Sequence, residues 1–517
     1  MPEVSVAALL DAAVEAIGGE ARPGQTRMAQ AVGAALDGGR HLLVQAGTGT
    51  GKSLAYLVPA LVHAVRREER VVVATATLVL QRQIMEHDLP LARRAVGAAL
   101  DREPKTALLK GRRNYVCRLK LDGAYGEDED EALMGRAEAY RGTGSSFAAE
   151  LGRLTAWARE TETGDRDDVP GGVSGRAWNH VSVSAAQCLG AKCPLVGTCF
   201  AERAKALAMT ADLVVTNHAM LAIQARLGAA ADPESDAARA ASVLPDHAAL
   251  VIDEAHQLTE SVTSALTGVL TPALVRHAAA QARRTAGKAA PLAEAGASLD
   301  RGADALEAAI DAAAPPGGVV RLDRGLPEAV GVAVTEVRAA ARAAFSAVGG
   351  LKDADAAPKK AARAAFEELV ELSDRLGQSG EGDGGGATQG WDGGDGIGRE
   401  DVVWLSRNAL GDGALSAAPL DVARDIGAGL MDQACAVMTS ATLALGGQME
   451  PAARAAGLAP GEWDGLDVGS PFDYGRQGIM YIAADLPAPG RGTDHRAAQQ
   501  ERLRELIEAS GGGALGL

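Results

Sequence analysis

Residues 41–67 read HLLVQAGTGTGKSLAYLVPALVHAVRR. A short apolar run leads into glycines and then into an apolar helical pattern, which predicts a strand, a tight loop and a helix. The loop matches a phosphate-binding sequence formed by Ala46, Gly47, Thr48, Gly49, Thr50, Gly51, Lys52 and Ser53. The stretch therefore predicts an α/β fold with a nucleotide site at the carboxyl end of a parallel strand.

The chemistry of this loop depends on three residue types. Its glycines let successive backbone N–H groups turn toward phosphate oxygens. Lys52 would neutralise the β- and γ-phosphates, and Ser53 would bind Mg²⁺. Ala46 stands where the general pattern has glycine. A plain glycine-rich turn is the alternative, but the strand before the loop and the helix after it favour phosphate binding.

A second motif, Asp253-Glu254-Ala255-His256, follows an apolar strand pattern at residues 248–252. An acid at a strand end can bind Mg²⁺, and the next acid can orient and deprotonate the attacking water. We assign Asp253 to the metal and Glu254 to the water. Acids after strands are common, so the signal comes from pairing this box with the phosphate loop about 200 residues earlier.

Four cysteines lie between the two nucleotide motifs, with 70, 4 and 5 residues between neighbours: Cys117, Cys188, Cys193 and Cys199. Zinc sites usually contain two tight cysteine pairs, whereas an iron–sulfur cluster tolerates varied spacing. Four buried free thiols are the third reading. The fifth cysteine, Cys435, lies in an apolar strand pattern and is expected to pack in the core.

Composition excludes several classes of protein. The chain has 517 residues, 47% of them apolar, enough for two to four folded domains. Five cysteines in this length do not form a disulfide framework and fit a reducing cytoplasm. The net charge of −16 argues against a protein coated by nucleic acid. A basic strip at residues 105–121 has six Lys and Arg and no acid, and is either a solvated face or a nucleic-acid contact.

The pattern of elements changes along the chain. Residues 1–110 alternate strand and helix patterns, and 111–209 interrupt them. Strand patterns resume in 210–256, whereas 257–404 are Ala-rich helical stretches that end in a Gly-rich loop at about 377–398. A strand pattern at 436–445 and a new α/β unit at 446–517 follow. The N-terminal segment is predicted to form an amphipathic helix, and no apolar stretch is long enough to span a bilayer.

Taken together, these motifs resemble the DinG/XPD group of iron–sulfur superfamily 2 DNA helicases, in particular its bacterial DinG-like branch. Gln25, in Arg22-Pro23-Gly24-Gln25, looks like the group's adenine-reading glutamine. The segment 74–84 looks like motif Ia, whose region around Thr75 and Thr77 faces single-stranded DNA. The other matching segments are KGRRNYVC at 110–117, CLGAKCPLVGTC at 188–199, ADLVVTNHAML at 211–221, TSATL at 439–443 and GSPFDY at 469–474.

The resemblance implies a RecA-like P-loop motor lobe built on a parallel sheet, carrying two insertions. The lobe would comprise residues 1–110, 210–256 with the Asp-Glu-Ala-His box, and 405–445 with motif III. The insertions would be an iron–sulfur domain at 111–209 and a helical arch domain at 257–404. These insertions would flank a hole for one DNA strand.

The resemblance also implies an ATP-dependent DNA helicase that moves 5′ to 3′, acts on single-stranded and forked DNA in repair or replication, and works as a cytoplasmic monomer. Its cofactors would be ATP, Mg²⁺ and a [4Fe–4S] cluster bound by the four cysteines. The nucleotide contacts would be those of the phosphate loop, Gln25, Asp253 and His256. Lys52, Asp253 and Glu254 would carry the catalysis.

One departure concerns the second RecA-like lobe, whose late motif with paired arginines is absent from the sequence. Residues 446–517 resemble only the start of that lobe and end at GGGALGL. We therefore expect a truncated product, a fragment or an incomplete gene model, which binds ATP and DNA but unwinds poorly. The competing readings are a catalytically silent binding fragment, an RNA-directed helicase and a zinc-binding motor.

Overall fold

The computed structural model describes residues 5–125, 144–230, 242–351, 355–378, 401–487, 493–511 and 513. It divides into two compact units, residues 1–469 and 470–517. Most of the expected Gly-rich loop and of the final GGGALGL segment lies outside the described residues.

The strands, in chain order, are β1 (His41–Gln45), β2 (Val71–Thr75), β3 (Thr106–Leu108), β4 (Leu213–Asn217), β5 (Ala249–Asp253), β6 (Gly268–Leu270), β7 (Val319–Arg321), β8 (Asp401–Arg407), β9 (Gly413–Pro419), β10 (Cys435–Ser440) and β11 (Trp463–Asp467). The first helices are α1 (Val6–Glu15), α2 (Pro23–Gly38), α3 (Lys52–Arg67), α4 (Leu78–Gln83), α5 (Leu89–Leu100), α6 (Arg118–Leu121), α7 (Gly144–Glu160), α8 (Gly175–Asn179), α9 (Phe200–Thr210) and α10 (His218–Ala230). The later helices are α11 (Leu258–Leu266), α12 (Pro272–Ala286), α13 (Ala290–Ala313), α14 (Glu328–Gly349), α15 (Ala356–Gln378), α16 (Ala423–Gly429), α17 (Glu450–Ala455), α18 (Tyr474–Gln477) and α19 (Thr493–Ala509).

A parallel sheet of seven strands, in the order β11-β1-β10-β5-β2-β4-β3, forms what we call the sheet lobe. Strands β2 and β5 are buried along their whole length, as expected for central parallel strands covered on both faces. Within β1, Leu42 and Val44 join the core on one face of the sheet and Leu43 joins the core on the other. The strand–loop–helix prediction and the α/β prediction are confirmed.

The helices cover the two faces of this sheet unequally. Helices α1, α2, α3 and α5 bury one face, and α10, α11 and α16 bury the other. The N-terminal prediction is confirmed, because α1 buries Leu9, Leu10, Ala13 and Val14.

Two insertions interrupt the sheet lobe. The cysteine domain, residues 111–209, leaves after β3 and returns through α9 to β4, and has its own small core around Trp178 and Phe200. The helical insertion leaves after β5. Its core contains α12, α13, α14 and α15 packed on an antiparallel sheet of order β6-β9-β8-β7.

Two strand pairings lie near the expected domain boundaries. Strand β8 spans the expected boundary at 404 and forms a hairpin with β9 in the antiparallel sheet. Strand β11, within residues 446–517, pairs with β1 in the first sheet. The division of the chain into a motor lobe and two insertions stays a prediction.

Among the described residues, every helix is either too short or too polar to cross a bilayer.

Candidate functional site

The phosphate loop lies between the end of β1 and the start of α3. Gly49 and Gly51 have φ values of 76° and 82°, which favour glycine and curl the backbone around the helix N-terminus. The Thr50 hydroxyl donates to the Gly47 carbonyl at 2.6 Å and fixes the turn. A glycine-permitted loop that leads into a helix N-terminus, with Lys52 at the first position of the helix, is an arrangement suited to binding phosphate.

Gln25 packs directly against this loop. Its side-chain Nε2 donates to the Gly51 carbonyl at 3.0 Å, and only 5% of the residue is exposed. The amide is thus held beside the nucleotide site by the loop backbone, which the sequence did not specify.

Lys52 and Glu254 come together although 202 residues separate them. The Lys52 Nζ donates to Glu254 Oε1 at 2.9 Å, and the two side chains are only 12% and 22% exposed. The cation assigned to phosphate and the acid assigned to water therefore share one partly buried pocket. An ion pair shielded in this way is screened less by salt than a surface pair.

Asp253 ends β5 and is 4% exposed. Its Oδ1 accepts the Glu254 backbone N–H and its Oδ2 accepts the Tyr56 hydroxyl, both at 3.0 Å. Burial raises the pKa of Asp253 to about 6, the nearby Lys52 charge opposes that rise, and Glu254 adds to it. Near pH 7 the group is mainly a carboxylate and can bind a divalent cation.

The remaining residues of the box contact motif III. Glu254 has a positive φ of 52°, a rare conformation outside glycine that marks functional sites. The Ser440 hydroxyl lies 2.8 Å from His256 Nδ1 and 3.4 Å from Glu254 Oε2. His256 therefore connects Glu254 to β10.

Three residues near the site carried no assigned role in the sequence analysis. His218 Nε2 lies 2.9 Å from the Asp253 carbonyl, and burial lowers the pKa of His218 to about 4. Tyr56 contacts Asp253, and burial raises the pKa of Asp88, against a smaller opposing effect of the nearby Ser53 hydroxyl. Tyr56 had a usable signal: it lies three residues after Ser53, on the same side of a helix.

The cysteine domain holds a second candidate site. All four cysteines line one cavity, which is partly open to solvent. Burial, and secondarily the Cys188 and Cys199 thiols, raise the pKa of Cys117 to about 11. The Gly190 N–H donates to Cys188 Sγ at 3.3 Å, and Arg112 also lines the cavity.

The cysteine site has donor types that an iron–sulfur cluster uses. Four thiols line one cavity, with the Gly190 N–H and the Arg112 guanidinium beside them, and this donor set fits such a cluster. In the described parts of the chain, no group of three or more His, Cys, Asp or Glu side chains has the geometry to hold a metal ion. Cys435 is separate from these four cysteines: it packs against the core beneath β10, near the Arg40 carbonyl.

The basic strip contributes less exposed charge than its sequence suggested. Four of its six cations bond within the protein: Lys110 to Asp165, Arg112 to Glu202, Arg118 to the Phe200 ring and Lys120 to the Asn179 carbonyl. Lys105 and Arg113 are exposed. Most of the strip is therefore internal structure of the cysteine domain.

The structure limits which residues of the motif Ia segment can contact DNA. Thr75 is fully buried and its hydroxyl donates to the Thr77 carbonyl at 3.2 Å, so Thr75 itself faces no solvent. Thr77 is exposed and caps α4 by accepting the Leu80 N–H. Within this segment, the exposed residues from Thr77 onward are the ones that can contact a DNA strand.

Known proteins match the chain in sequence. The DEAD/DEAH box helicase family model matches residues 24–106. ATP-dependent helicase DinG of Mycobacterium tuberculosis is 41% identical over 523 residues, covering 99% of this chain and 73% of the relative. ATP-dependent DNA helicase YoaA of Escherichia coli is 35% identical over 240 residues, covering 46% of this chain and 33% of the relative.

A solved structure of an XPD helicase also aligns with this chain. The alignment covers 94% of this chain and 70% of the other, at 13% identity and a TM-score of 0.45.

Proposed function

The chain belongs to the DinG/XPD-like group of ATP-dependent DNA helicases, and on that premise we propose how it works. It hydrolyses ATP to move 5′ to 3′ along single-stranded DNA and to separate forked duplexes, in DNA repair or replication. It acts as a monomer in the cytoplasm, where a reducing environment suits its five unpaired cysteines.

The observation that carries the proposal is the 2.9 Å contact between Lys52 and Glu254. Two motifs that are far apart in sequence meet at one pocket, with the loop glycines on one side and Asp253 on the other. Lys52 and backbone N–H groups of the phosphate loop bind the phosphates. Glu254 orients the attacking water and accepts its proton.

Magnesium, when bound with ATP, would neutralise charge on the phosphates, and Ser53 and Asp253 would hold it. Gln25 lies against the loop where it can contact the base. Ser440 and His256 connect Glu254 to motif III on β10, so a change in the hydrolysis site is passed to a strand of the sheet. That link supports a role for hydrolysis in driving movement.

We assign a [4Fe–4S] cluster to Cys117, Cys188, Cys193 and Cys199. The shared cavity and the N–H donors support the assignment. The cluster would hold the cysteine domain in shape beside the DNA. Each thiol must lose its proton to bind iron. Because the pKa of Cys117 is raised, iron must displace the proton of this thiol when it binds.

The direct test is a helicase assay with the 517-residue chain purified without oxygen. ATP turnover is measured with and without single-stranded DNA, and strand separation is measured on forks with a 5′ or a 3′ tail. The proposed function predicts DNA-stimulated turnover and separation only with a 5′ tail, with loss of both in Lys52→Ala; that result would contradict the expectation from the sequence that this chain unwinds poorly.

The other outcomes select the other readings. Binding of ATP and DNA without strand separation supports the binding-fragment alternative. Stimulation by RNA but not by DNA supports an RNA-directed helicase. A colourless protein that contains zinc, by metal and sulfide analysis, refutes the cluster.

A further inference from the structure

Tyr56 places a hydroxyl inside the nucleotide site, at a point that the proposed mechanism does not use. It lies on the first turns of α3 and is 0% exposed. Its hydroxyl donates to Asp253 Oδ2 at 3.0 Å. A buried tyrosine hydroxyl normally has a hydrogen-bond partner. Here the partner is the Asp253 carboxylate, which is assigned to magnesium.

This hydrogen bond fixes the orientation of the Asp253 carboxylate. The Glu254 backbone N–H holds Oδ1, and the Tyr56 hydroxyl holds Oδ2. A carboxylate with both oxygens held cannot rotate freely. Because a carboxylate has about four lone-pair sites, each oxygen can still bind a cation or a water coordinated to one.

The second magnesium residue of the proposal, Ser53, lies on the same helix as Tyr56. Ser53 precedes Tyr56 by three residues on α3, which puts both side chains on one side of the helix. Tyr56 therefore connects the strand-end acid of β5 to α3, the helix whose first turn contains Ser53.

We propose that Tyr56 is a positioning residue for magnesium, which orients the Asp253 carboxylate. This inference rests on the proposed function, since it assumes that the pocket binds a magnesium–nucleotide complex. It predicts that Tyr56 affects the magnesium-dependent part of nucleotide binding and leaves the magnesium-independent part alone.

The test is the affinity of the 517-residue chain for a fluorescent N-methylanthraniloyl ADP, measured in EDTA and across a MgCl₂ titration. Tyr56→Phe keeps the ring and removes only the hydroxyl. We expect the same affinity as wild type in EDTA, and a magnesium-dependent gain in affinity that is about tenfold smaller, the scale of one hydrogen bond to a charged group.

Tyr115→Phe is the matched control. It also removes a buried tyrosine hydroxyl, one that accepts the Lys110 N–H at 3.3 Å in the cysteine domain. We expect it to match wild type in both conditions. Thermal unfolding in EDTA verifies that each variant is folded.

A double-mutant cycle separates a positioning role from simple packing. If Tyr56 acts through Asp253, adding Tyr56→Phe to Asp253→Asn changes magnesium dependence no further. Equal magnesium responses in wild type and Tyr56→Phe overturn this inference alone. A wild type that binds no nucleotide, or binds it without any magnesium effect, overturns the proposed function instead.

Discussion

At the scale of single residues, Glu254 is the central side chain of the proposed hydrolysis site. Its two carboxylate oxygens face different motifs, Oε1 toward Lys52 and Oε2 toward His256 and Ser440. The sequence predicted an acid after a strand. Its αL backbone, which turns the side chain into the pocket, is a property of the fold.

Glu254→Gln tests its role as the base. The amide keeps the size and hydrogen-bonding capacity of the side chain but accepts no proton. We expect ATP turnover to fall by about 10²–10⁴-fold, the typical contribution of a general base, with nucleotide affinity maintained. A variant with normal turnover contradicts the assignment of Glu254 to the water.

His218 makes stability depend on pH. It is buried as the neutral ring, Nε2 faces the Asp253 carbonyl, and Nδ1 has no hydrogen-bond partner in the described structure. Burial disfavours the charged ring and lowers the pKa of His218 from 6.5 to about 4. Between these values the unfolded chain binds a proton that the folded chain does not.

The free energy of unfolding is therefore expected to decrease as pH falls from about 6.5 to 4, by at most about 3 kcal/mol from this group. Above pH 6.5 the contribution is complete. Because other groups also titrate, the measurement is the difference between wild type and His218→Gln in urea unfolding at pH 7.5 and pH 5. A difference that does not change with pH contradicts the prediction.

At the scale of elements, glycines decide how closely two helices approach. Gly228 on α10 faces Gly429 at the end of α16, and a Cβ on Gly228 would lie 2.7 Å from the Gly429 Cα. Real Cβ atoms do not approach a backbone so closely. The contact attaches the segment returning from the helical insertion to the sheet lobe just before β10.

Gly228→Ala is expected to lower the free energy of unfolding by about 1–3 kcal/mol, the usual cost of overpacking. Gly152→Ala is the control, because Gly152 is also inside a helix, α7, but has no atom within 4 Å of the added Cβ. That variant should be stabilised by up to about 1 kcal/mol through helix propensity. Thermal melting of both proteins tests the pair, and equal effects would contradict the packing argument.

At the scale of the whole molecule, the cysteine domain and the sheet lobe have separate hydrophobic cores. The cysteine domain has a core of its own around Trp178, distinct from the two cores that sandwich the parallel sheet. The ion pair of Lys110 with Asp165 and Asp167, and the hydrogen bond from Arg82 to the Asp167 carbonyl, join this domain to the sheet lobe. Loss of the cluster should therefore loosen one domain without dissolving the nucleotide site.

Cys117→Ser, Cys188→Ser, Cys193→Ser and Cys199→Ser are each expected to lose iron, because each removes one ligand from the shared cavity. Cys435→Ser should keep it. Hydrogen exchange should increase around Trp178 in the first four variants and stay slow in β1 and β5, with nucleotide affinity unchanged. Iron analysis decides the ligand set: loss of iron in Cys435→Ser would show that the set is wrong.

The sequence by itself determined the local chemistry of this protein. A glycine-rich loop after a strand, an acid pair after another strand and four clustered cysteines each need particular residue types at short spacing, so they can be recognised without a fold. Short apolar runs that alternate with helical patterns were enough to predict the parallel sheet, because a strand buried on both faces needs apolar residues throughout.

Only the tertiary structure decided which distant groups meet. It placed Lys52 beside Glu254 and Tyr56 beside Asp253. It paired β8 with β9 in the antiparallel sheet of the helical insertion, and β11 with β1 in the first sheet. It also gave most cations of the basic strip partners within the protein. These contacts depend on long-range strand pairing and on close helix packing at glycines such as Gly228. Neither leaves a periodic signal in the sequence, because each is fixed by residues that are far apart along the chain.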